Sequence, residues 1–440
     1  MTENITGRTS SIKPVCKIPQ RPPVFYATDK ERFTILCPQM SPIHFSLLQN
    51  SFAEEGYHLD VLPEVDRDCV EEGLRYVNND ACYPAIVVVG QLIQALKSGR
   101  YHPDRTALLI SQTCGGCRST NYQAFLKIAV QKAGFLNTPI IPFNINLSSG
   151  RNSEGIQMTL PMIKKLIRIF LFGDLLMRLS NHCRPYETLP GSTETMLNTW
   201  MDYLKTGITQ EKRFDITQHA AKIVKAFESL PLTGENSKPK VGVVGEVLLK
   251  YHQGANNHLV SIIEQEGGEA VVPDILDFAL YCLTGDRFKT VFTRVPFFTR
   301  LRSAFLVRLL EYYRGKIRKV LKNSHRFVPS EHINHLAKQA KSVLSTCNQT
   351  GEGWLLTADM VEFMETGVPN VICVQPFGCL PNHITGKGVI KELKRRYRNV
   401  NITPIDFDPG TTEVNQLNRI KLMMAVANKN RLTAFPDGHG

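Results

Sequence analysis

Apolar and polar positions follow two rhythms along this chain. Short apolar runs bounded by turn residues occur at Phe33–Cys37, His58–Leu62, Thr106–Ser111 and Thr138–Phe143. Between them, apolar positions recur three and four apart over His44–Glu55, Asp66–Val77, Pro84–Lys97 and Asn121–Ala133. The first rhythm predicts strands and the second helices. Strands and helices in alternation over short connections imply a parallel sheet with right-handed crossovers, here a first α/β domain over residues 31–150. Residues 1–30, with Pro14, Pro19, Pro22 and Pro23, read as an extended leader contributing little core. Residues 151–235 show only long amphipathic segments and read as a helical bridge. A second alternation fills 236–440: strands at Val241–Gly245, Glu269–Pro273, Val368–Val374 and Ile402–Phe407, with helices at His258–Glu266, His332–Thr346, Thr357–Glu365, Lys387–Tyr397 and Thr412–Ala427. A helical insertion at 286–347 interrupts it. The fold class is therefore α/β, two parallel-sheet domains with a helical bridge and a helical insertion. Facing sheets would leave a cleft between them, at the carboxyl ends of strands where ligands gather in open α/β sheets.

A length of 440 residues exceeds what one core supports, in keeping with two domains. No apolar run approaches the roughly 20 residues that span a bilayer. The most hydrophobic stretch, from Ile167 through Leu175, carries charges and reads as a buried helix. The N-terminus is polar, without an apolar export segment, so a cytoplasmic location is expected. In that reducing compartment the eleven cysteines are thiols, packed as small hydrophobes or acting as ligands and nucleophiles. Cys16, Cys69, Cys183, Cys282 and Cys347 stand singly and read as packing or surface residues.

Charge sharpens the picture in one place. The formal net charge is +12, yet residues 286–326 carry twelve basic side chains against Asp286 and Glu311, which accounts for +10. The basicity is a local device, and no general polyanion-binding coat is implied. Phe297, Phe298, Leu301, Phe305, Leu309, Tyr312 and Tyr313 recur at helical spacing, predicting an amphipathic helix with a densely basic outer face. It is either a solvated hairpin or a docking face for an acidic partner or the phosphates of a nucleotide-like substrate. Membrane-surface and nucleic-acid binding are the less favoured uses, and neither a membrane nor a nucleic acid is expected as a partner.

Three loops carry candidate chemistry: Asn79-Asp-Ala-Cys82-Tyr-Pro84, Gln112-Thr-Cys114-Gly-Gly-Cys117-Arg-Ser-Thr-Asn121, and Gln375-Pro-Phe-Gly-Cys379-Leu-Pro-Asn382-His383. Glycine or proline flanks each sulfur, which suits a thiolate needing backbone N–H groups turned toward it and little bulk beside it. A helix start at Cys82 would lower its thiol pKa. The Cys114-x-x-Cys117 pair admits a redox dithiol, half of a zinc site or part of an iron–sulfur site. Zinc wants a second close pair that is absent, and a thioredoxin-like motif would open the first helix of its domain. Scattered cysteines gathered by the fold suit a cluster, with buried structural thiols as the main competitor.

These loops, with Gly245-Glu-Val-Leu-Leu-Lys-Tyr251, Asn256-Asn257, Ile405-Asp-Phe-Asp-Pro-Gly410 and Asn415-Gln-Leu-Asn-Arg419, resemble the 2-hydroxyacyl-CoA dehydratase superfamily, in the branch associated with ATP-dependent activators and double-cubane clusters. The likeness runs over roughly residues 33–428. It implies two Rossmann-like domains holding an oxygen-sensitive iron–sulfur cluster in the cleft between them, [4Fe-4S] in preference to double-cubane [8Fe-9S]. Cys82, Cys117 and Cys379 match its ligand loops. Cys114 stands where relatives carry glycine, and with Cys37 and Cys373 it is a further candidate. The implied activity is that of a lyase, or of a reductase component. A low-potential electron from a separate ATP-hydrolysing activator enters an acyl-CoA or other small substrate, which is dehydrated or reduced at an open iron. The chain itself lacks a Gly-x-x-x-x-Gly-Lys-Ser/Thr loop. Relatives suggest a homo- or heterodimer.

Beside the cysteines, Glu246 and His383 are the candidate catalytic residues. Asn382 reads as a donor to the cluster or a cap, and Lys250 as a cleft residue. Asp406 and Asp408 read as a cap or as partners of Arg419 ahead of an acid–base role, and His44 as a core histidine. The alternative readings are a non-catalytic electron-carrier or scaffold subunit docking an activator through 286–326, and a thiol–disulfide oxidoreductase using Cys114 and Cys117.

Overall fold

The computed structural model describes residues 23–111, 116–143, 154–210, 214–288 and 294–434. Its first half runs β1 (Thr34–Cys37), α1 (Pro42–Ala53), β2 (His58–Val61), α2 (Arg67–Leu74), α3 (Tyr83–Lys97), β3 (Thr106–Ser111), α4 (Tyr122–Lys132) and β4 (Ile140–Phe143). Three helices follow, α5 (Leu160–Cys183), α6 (Ser192–Gln210) and α7 (Ile216–Glu228). The second half begins with β5 (Lys240–Gly245), α8 (Val247–Tyr251), α9 (Leu259–Gln265), β6 (Glu269–Val271), α10 (Ile275–Phe288), α11 (Phe297–Lys322) and α12 (Ile333–Val343). It closes with α13 (Gly353–Glu365), β7 (Asn370–Pro376), α14 (Leu380–Thr385), α15 (Ile390–Arg396), β8 (Asn401–Phe407) and α16 (Glu413–Ala434).

Both sheets are four-stranded and entirely parallel, in the orders β2-β1-β3-β4 and β6-β5-β7-β8. The two orders are the same when each half is counted from its own first strand. Chain direction across the sheet therefore reverses between β1 and β3, and again between β5 and β7, the switch points at which α/β sheets open a crevice. Parallel strands covered on both faces need apolar side chains throughout, and β3, β5 and β7 are buried along almost their whole length. Alternation sends Ile35, Ala107 and Leu109 to one core cluster and Leu36, Leu108 and Ile110 to the other face. That second cluster continues into Val241, Val243, Ile372 and Val374 of the other sheet, so the two halves share core.

Several expectations change in detail. Phe25, inside the expected leader, is a buried core residue. Helix α10 was not anticipated, because the basic run beginning at 286 drew the boundary of the insertion too late. The expected helix Lys387–Tyr397 is present as a 3-10 turn, Lys387–Val389, running into α15, and α14 is an additional short helix before Gly386. The helix α11 keeps the expected basic outer face, with Arg300, Arg308, Lys319 and Lys322 exposed, but most of its aromatics do not turn inward. Phe297, Phe298, Leu301, Phe305 and Tyr312 face out, while Glu311, Arg314, Ile317 and Leu321 are buried. The buried Arg314 answers Asp277 Oδ1 at 2.6 Å and Asp274 Oδ2 at 2.9 Å, and those carboxylates cannot be left unpaired inside the fold. Among the described residues no helix is long and apolar enough to cross a membrane.

Candidate functional site

The site builds up at the carboxyl ends of both sheets. After β3 the chain reaches Cys117, which opens a short 3-10 turn into α4; after β7 it reaches Cys379, which opens α14. These are equivalent positions in the two sheets. Cys82 opens α3, with Pro84 in the first turn where a missing N–H costs nothing. All three thiols are free and partly buried. Cys114 lies outside the described residues.

Specific contacts tie the loops together. Arg118, next to Cys117, donates to the carbonyls of Asp80 and Ala81 in the Cys82 loop, the latter at 2.9 Å. Tyr122 at the start of α4 places its hydroxyl 3.4 Å from Cys82 Sγ. Across the cleft, Tyr83 stacks on Phe407 with ring centroids 6.4 Å apart. Asn382, inside α14 and not at its cap, donates to Cys379 Sγ at 3.1 Å. Phe377, Leu380 and Ile384 stand exposed around Cys379 as an apolar rim.

Electrostatics confirm the proximity and correct one expectation. Burial pushes the Cys82 thiol up to about 12, with Glu246 and Cys379 adding to the rise. Burial, then Glu352, pushes Cys379 up to about 11. Buried Tyr122 is raised by burial and by Cys82, Glu246 and Cys117. The helix start at Cys82 was expected to lower its thiol pKa. Desolvation outweighs that effect here, because a partial dipole charge gains less than a buried thiolate loses.

Glu246 caps α8, accepting from Leu249 N–H at 2.9 Å. Its pKa is raised to about 8 by burial and then by Glu352. Glu352 went unnoticed in the sequence, although it joins everything here. Its Oε1 accepts from Val247 N–H at 3.2 Å and its Oε2 from Asn382 Nδ2 at 3.0 Å. Burial raises its pKa as well. Two buried carboxyls so close share protons instead of both ionising. The only cue was Gly351-Glu352-Gly353, a turn with φ of 59° and 48° at its glycines. A Cβ at Gly353 would lie 2.2 Å from the Asn348 carbonyl oxygen, so only glycine fits.

His383 is half exposed at the mouth, its Nε2 3.4 Å from Lys387 Nζ. Lys387 in turn holds Asp406 at 2.9 and 3.0 Å, and Gln375 Nε2 donates to the same carboxylate at 2.6 Å. Asp406 therefore pairs with Lys387 and not with Arg419; although burial opposes it, these donors hold its carboxyl below the ordinary range. Asp408 accepts from Gly410 N–H at 2.7 Å, closing a turn in the loop that leads to α16.

Other expected residues fall elsewhere. Lys250 is buried, 3.6 Å from Asp359 Oδ2, and does not face an open cleft. Cys37 packs in the core of the first half, donates to the Pro38 carbonyl oxygen at 3.6 Å and is not brought to the three loops. Cys373 is fully buried in β7, raised to about 12 by burial and then by Glu352, with Cys379 also near. His44 is fully buried, with Ser41 Oγ at 2.9 Å from Nδ1 and Asp174 Oδ1 at 3.0 Å from Nε2. Asp174 also accepts from Ile275 and Leu276 N–H, so this Ser–His–Asp arrangement fastens α1, α5 and α10 together in the interior.

Among the described residues no three His, Cys, Asp or Glu side chains are gathered as ligands of a single metal ion. A polyatomic cluster differs, since each thiolate meets a different iron. The donor set suits one: three unoxidised thiols from three loops, Asn382 and Tyr122 beside two of the sulfurs, and the buried Asn382 Oδ1 and Tyr281 hydroxyl without partners nearby. No family model matches the chain and no curated protein matches it.

Proposed function

We propose that this chain is an iron–sulfur enzyme component of the 2-hydroxyacyl-CoA dehydratase type, taking low-potential electrons from a separate ATP-hydrolysing activator to dehydrate or reduce a small substrate. The observation that carries the reading is one neighbourhood. Cys82, Cys117 and Cys379 come from three loops to the carboxyl ends of two equivalent sheets, beside the buried carboxyls Glu246 and Glu352.

Those three thiols would hold the cluster. Among the described residues three loop thiols with Cys37 apart in the core support [4Fe-4S] in preference to the larger double cubane. When bound, such a cluster supplies an electron store and an iron that no protein thiolate occupies, able to polarise a hydroxyl or carbonyl. The protein's own groups do the rest. Asn382 directs one amide between Cys379 Sγ and Glu352, fixing the loop that carries the sulfur. Glu246, raised to about 8, keeps its proton at neutral pH and is the group placed to deliver it to a departing hydroxyl. Its neighbour Glu352 sustains that protonation. His383, half exposed and braced by Lys387, meets substrate at the apolar rim of Phe377, Leu380 and Ile384, where a short acyl chain would lie.

Anaerobic purification and reconstitution, followed by iron and sulfide quantification, test the cofactor. Brown protein carrying both is expected, and protein that stays colourless and iron-free ends this reading. Turnover of 2-hydroxyacyl-CoA thioesters with an added activator and ATP tests the reaction. Bound iron without turnover would leave the chain an electron carrier.

A further inference from the structure

The helix α11 presents an unusual outer face. Phe297, Phe298, Leu301, Phe305 and Tyr312 are 68, 81, 56, 63 and 61% exposed. Leaving this much aromatic and aliphatic surface in water is unfavourable, and a contiguous patch of it marks an interaction surface. At spacings of four, four and seven residues, Phe297, Leu301, Phe305 and Tyr312 fall on one line down the helix. The same line continues through Arg308 and Lys319, with Arg300 and Lys322 at its flanks, all exposed. Lys316 lies over the rings of Tyr312 and Tyr313 at 5.1 and 5.7 Å. The helix has 26 residues, about 39 Å at 1.5 Å per residue.

Its opposite side anchors it rigidly. Arg314 is clamped between Asp274 and Asp277, Arg318 meets Glu311 at 2.7 Å, and Glu311 also caps Ile333 N–H at 2.9 Å. The acid on this helix is thus turned inward and engaged, and what points outward is apolar or positive.

From this geometry we infer that α11 seats the protein on an anionic lipid surface. Apolar side chains exposed turn after turn along one helix, interleaved with cations, form an extended amphipathic strip. It fits a flat, deformable partner that receives every turn equally, as an interfacial helix does when its aromatics enter the acyl boundary and its cations stay among headgroups. Charge excludes two other occupants. A second copy would oppose this face with its own, where Arg300, Arg308, Lys319 and Lys322 are exposed and the one acid of the helix, Glu311, is buried. Residues 1–22 bring Arg8, Lys13, Lys17 and Arg21 against Glu3 alone, and would be repelled likewise. Anionic headgroups are attracted by the same charges. Sequence spacing alone ranks a membrane surface below a solvated hairpin or an acidic partner for this segment, because spacing turns the aromatics inward; their exposure changes that order. The inference is also independent of the iron–sulfur reading.

Co-sedimentation of the full chain with phosphatidylcholine vesicles, with and without phosphatidylserine, tests it. Binding to the anionic vesicles, weakened by salt, and little binding to the neutral ones is expected. Replacing Phe297, Phe298, Leu301 and Phe305 by Ala should lower partition at least about tenfold with no loss of thermal stability, because these side chains support no core. Arg308→Ala and Lys319→Ala should each lower it about fivefold. Equal binding to neutral vesicles, or native binding by the quadruple variant, overturns the inference. Binding to neither overturns it. A dimer dispersed by the quadruple variant, without vesicle binding, overturns it in favour of a second copy.

Discussion

Glu246 is the residue whose environment makes the sharpest claim. Burial, then the neighbouring Glu352, lifts its pKa from 4.5 to about 8. Between those values the unfolded chain has already lost the proton that the folded protein keeps. The unfolded state therefore binds fewer protons, and stability falls as pH rises through that window. Glu246→Gln keeps an acceptor for the Leu249 N–H and removes the titration. In iron-free protein its Tm relative to the native chain should be higher near pH 8 than near pH 5, and a pH-independent difference would contradict the raised pKa. Asn382 makes a second residue-scale claim. Asn382→Ala strips a donor from buried Glu352 and from Cys379 at once, and should cost about 1–3 kcal/mol in urea unfolding.

Among the elements, α2 and α3 show how closely backbone can be required to approach. A Cβ at Gly90 would stand 1.8 Å from the Cys69 carbonyl oxygen, so this pair of helices packs through glycine. Gly90→Ala should destabilise by about 1–3 kcal/mol or more by overpacking, read from the urea midpoint. Since α3 begins at Cys82, the same variant should also loosen that loop, raising the alkylation rate of Cys82. The helix α11 hangs on a different device. Arg314→Met leaves Asp274 and Asp277 buried without their shared cation, although Arg178 still reaches Asp274 at 2.6 Å. A loss of about 3–5 kcal/mol is expected by chemical denaturation. Its placement also shows where periodicity is ambiguous. Aromatic residues three and four apart mark one face of a helix, and the spacing carries no information about which face turns inward. The buried carboxylates of Asp274, just before α10, and Asp277, in its first turn, decided that.

For the whole molecule, the measurable consequence is iron content. Cys82→Ser, Cys117→Ser and Cys379→Ser should each sharply lower the iron retained after reconstitution, whereas Cys37→Ser, altering a core thiol, should leave it unchanged. Loss in all four variants, or in none, would contradict the assignment of the three loops. All eight strands lie where the apolar runs placed them to within two residues at either end, β7 being shifted two residues along the chain. Strand and helix periods are local properties, and a parallel sheet buried on both faces demands unbroken apolar runs that stand out from amphipathic helices. The cysteine loops were legible for a similar reason, since glycine and proline beside a sulfur are written in consecutive residues. What remained hidden was every pairing made across the chain. Glu352 meets Asn382 and Val247, Lys387 takes Asp406, Arg118 closes on the Cys82 loop, and Arg314 turns inward. A buried charge chooses its partner by three-dimensional proximity and desolvation, and neither quantity has a signature in linear spacing. Local pattern alone was enough to lay out the two sheets and mark the three sulfur-bearing turns. Folding alone decided which acids surround those sulfurs, which cations are spent inside and which face of α11 is left to solvent, because those outcomes depend on which distant segments exclude water from one another.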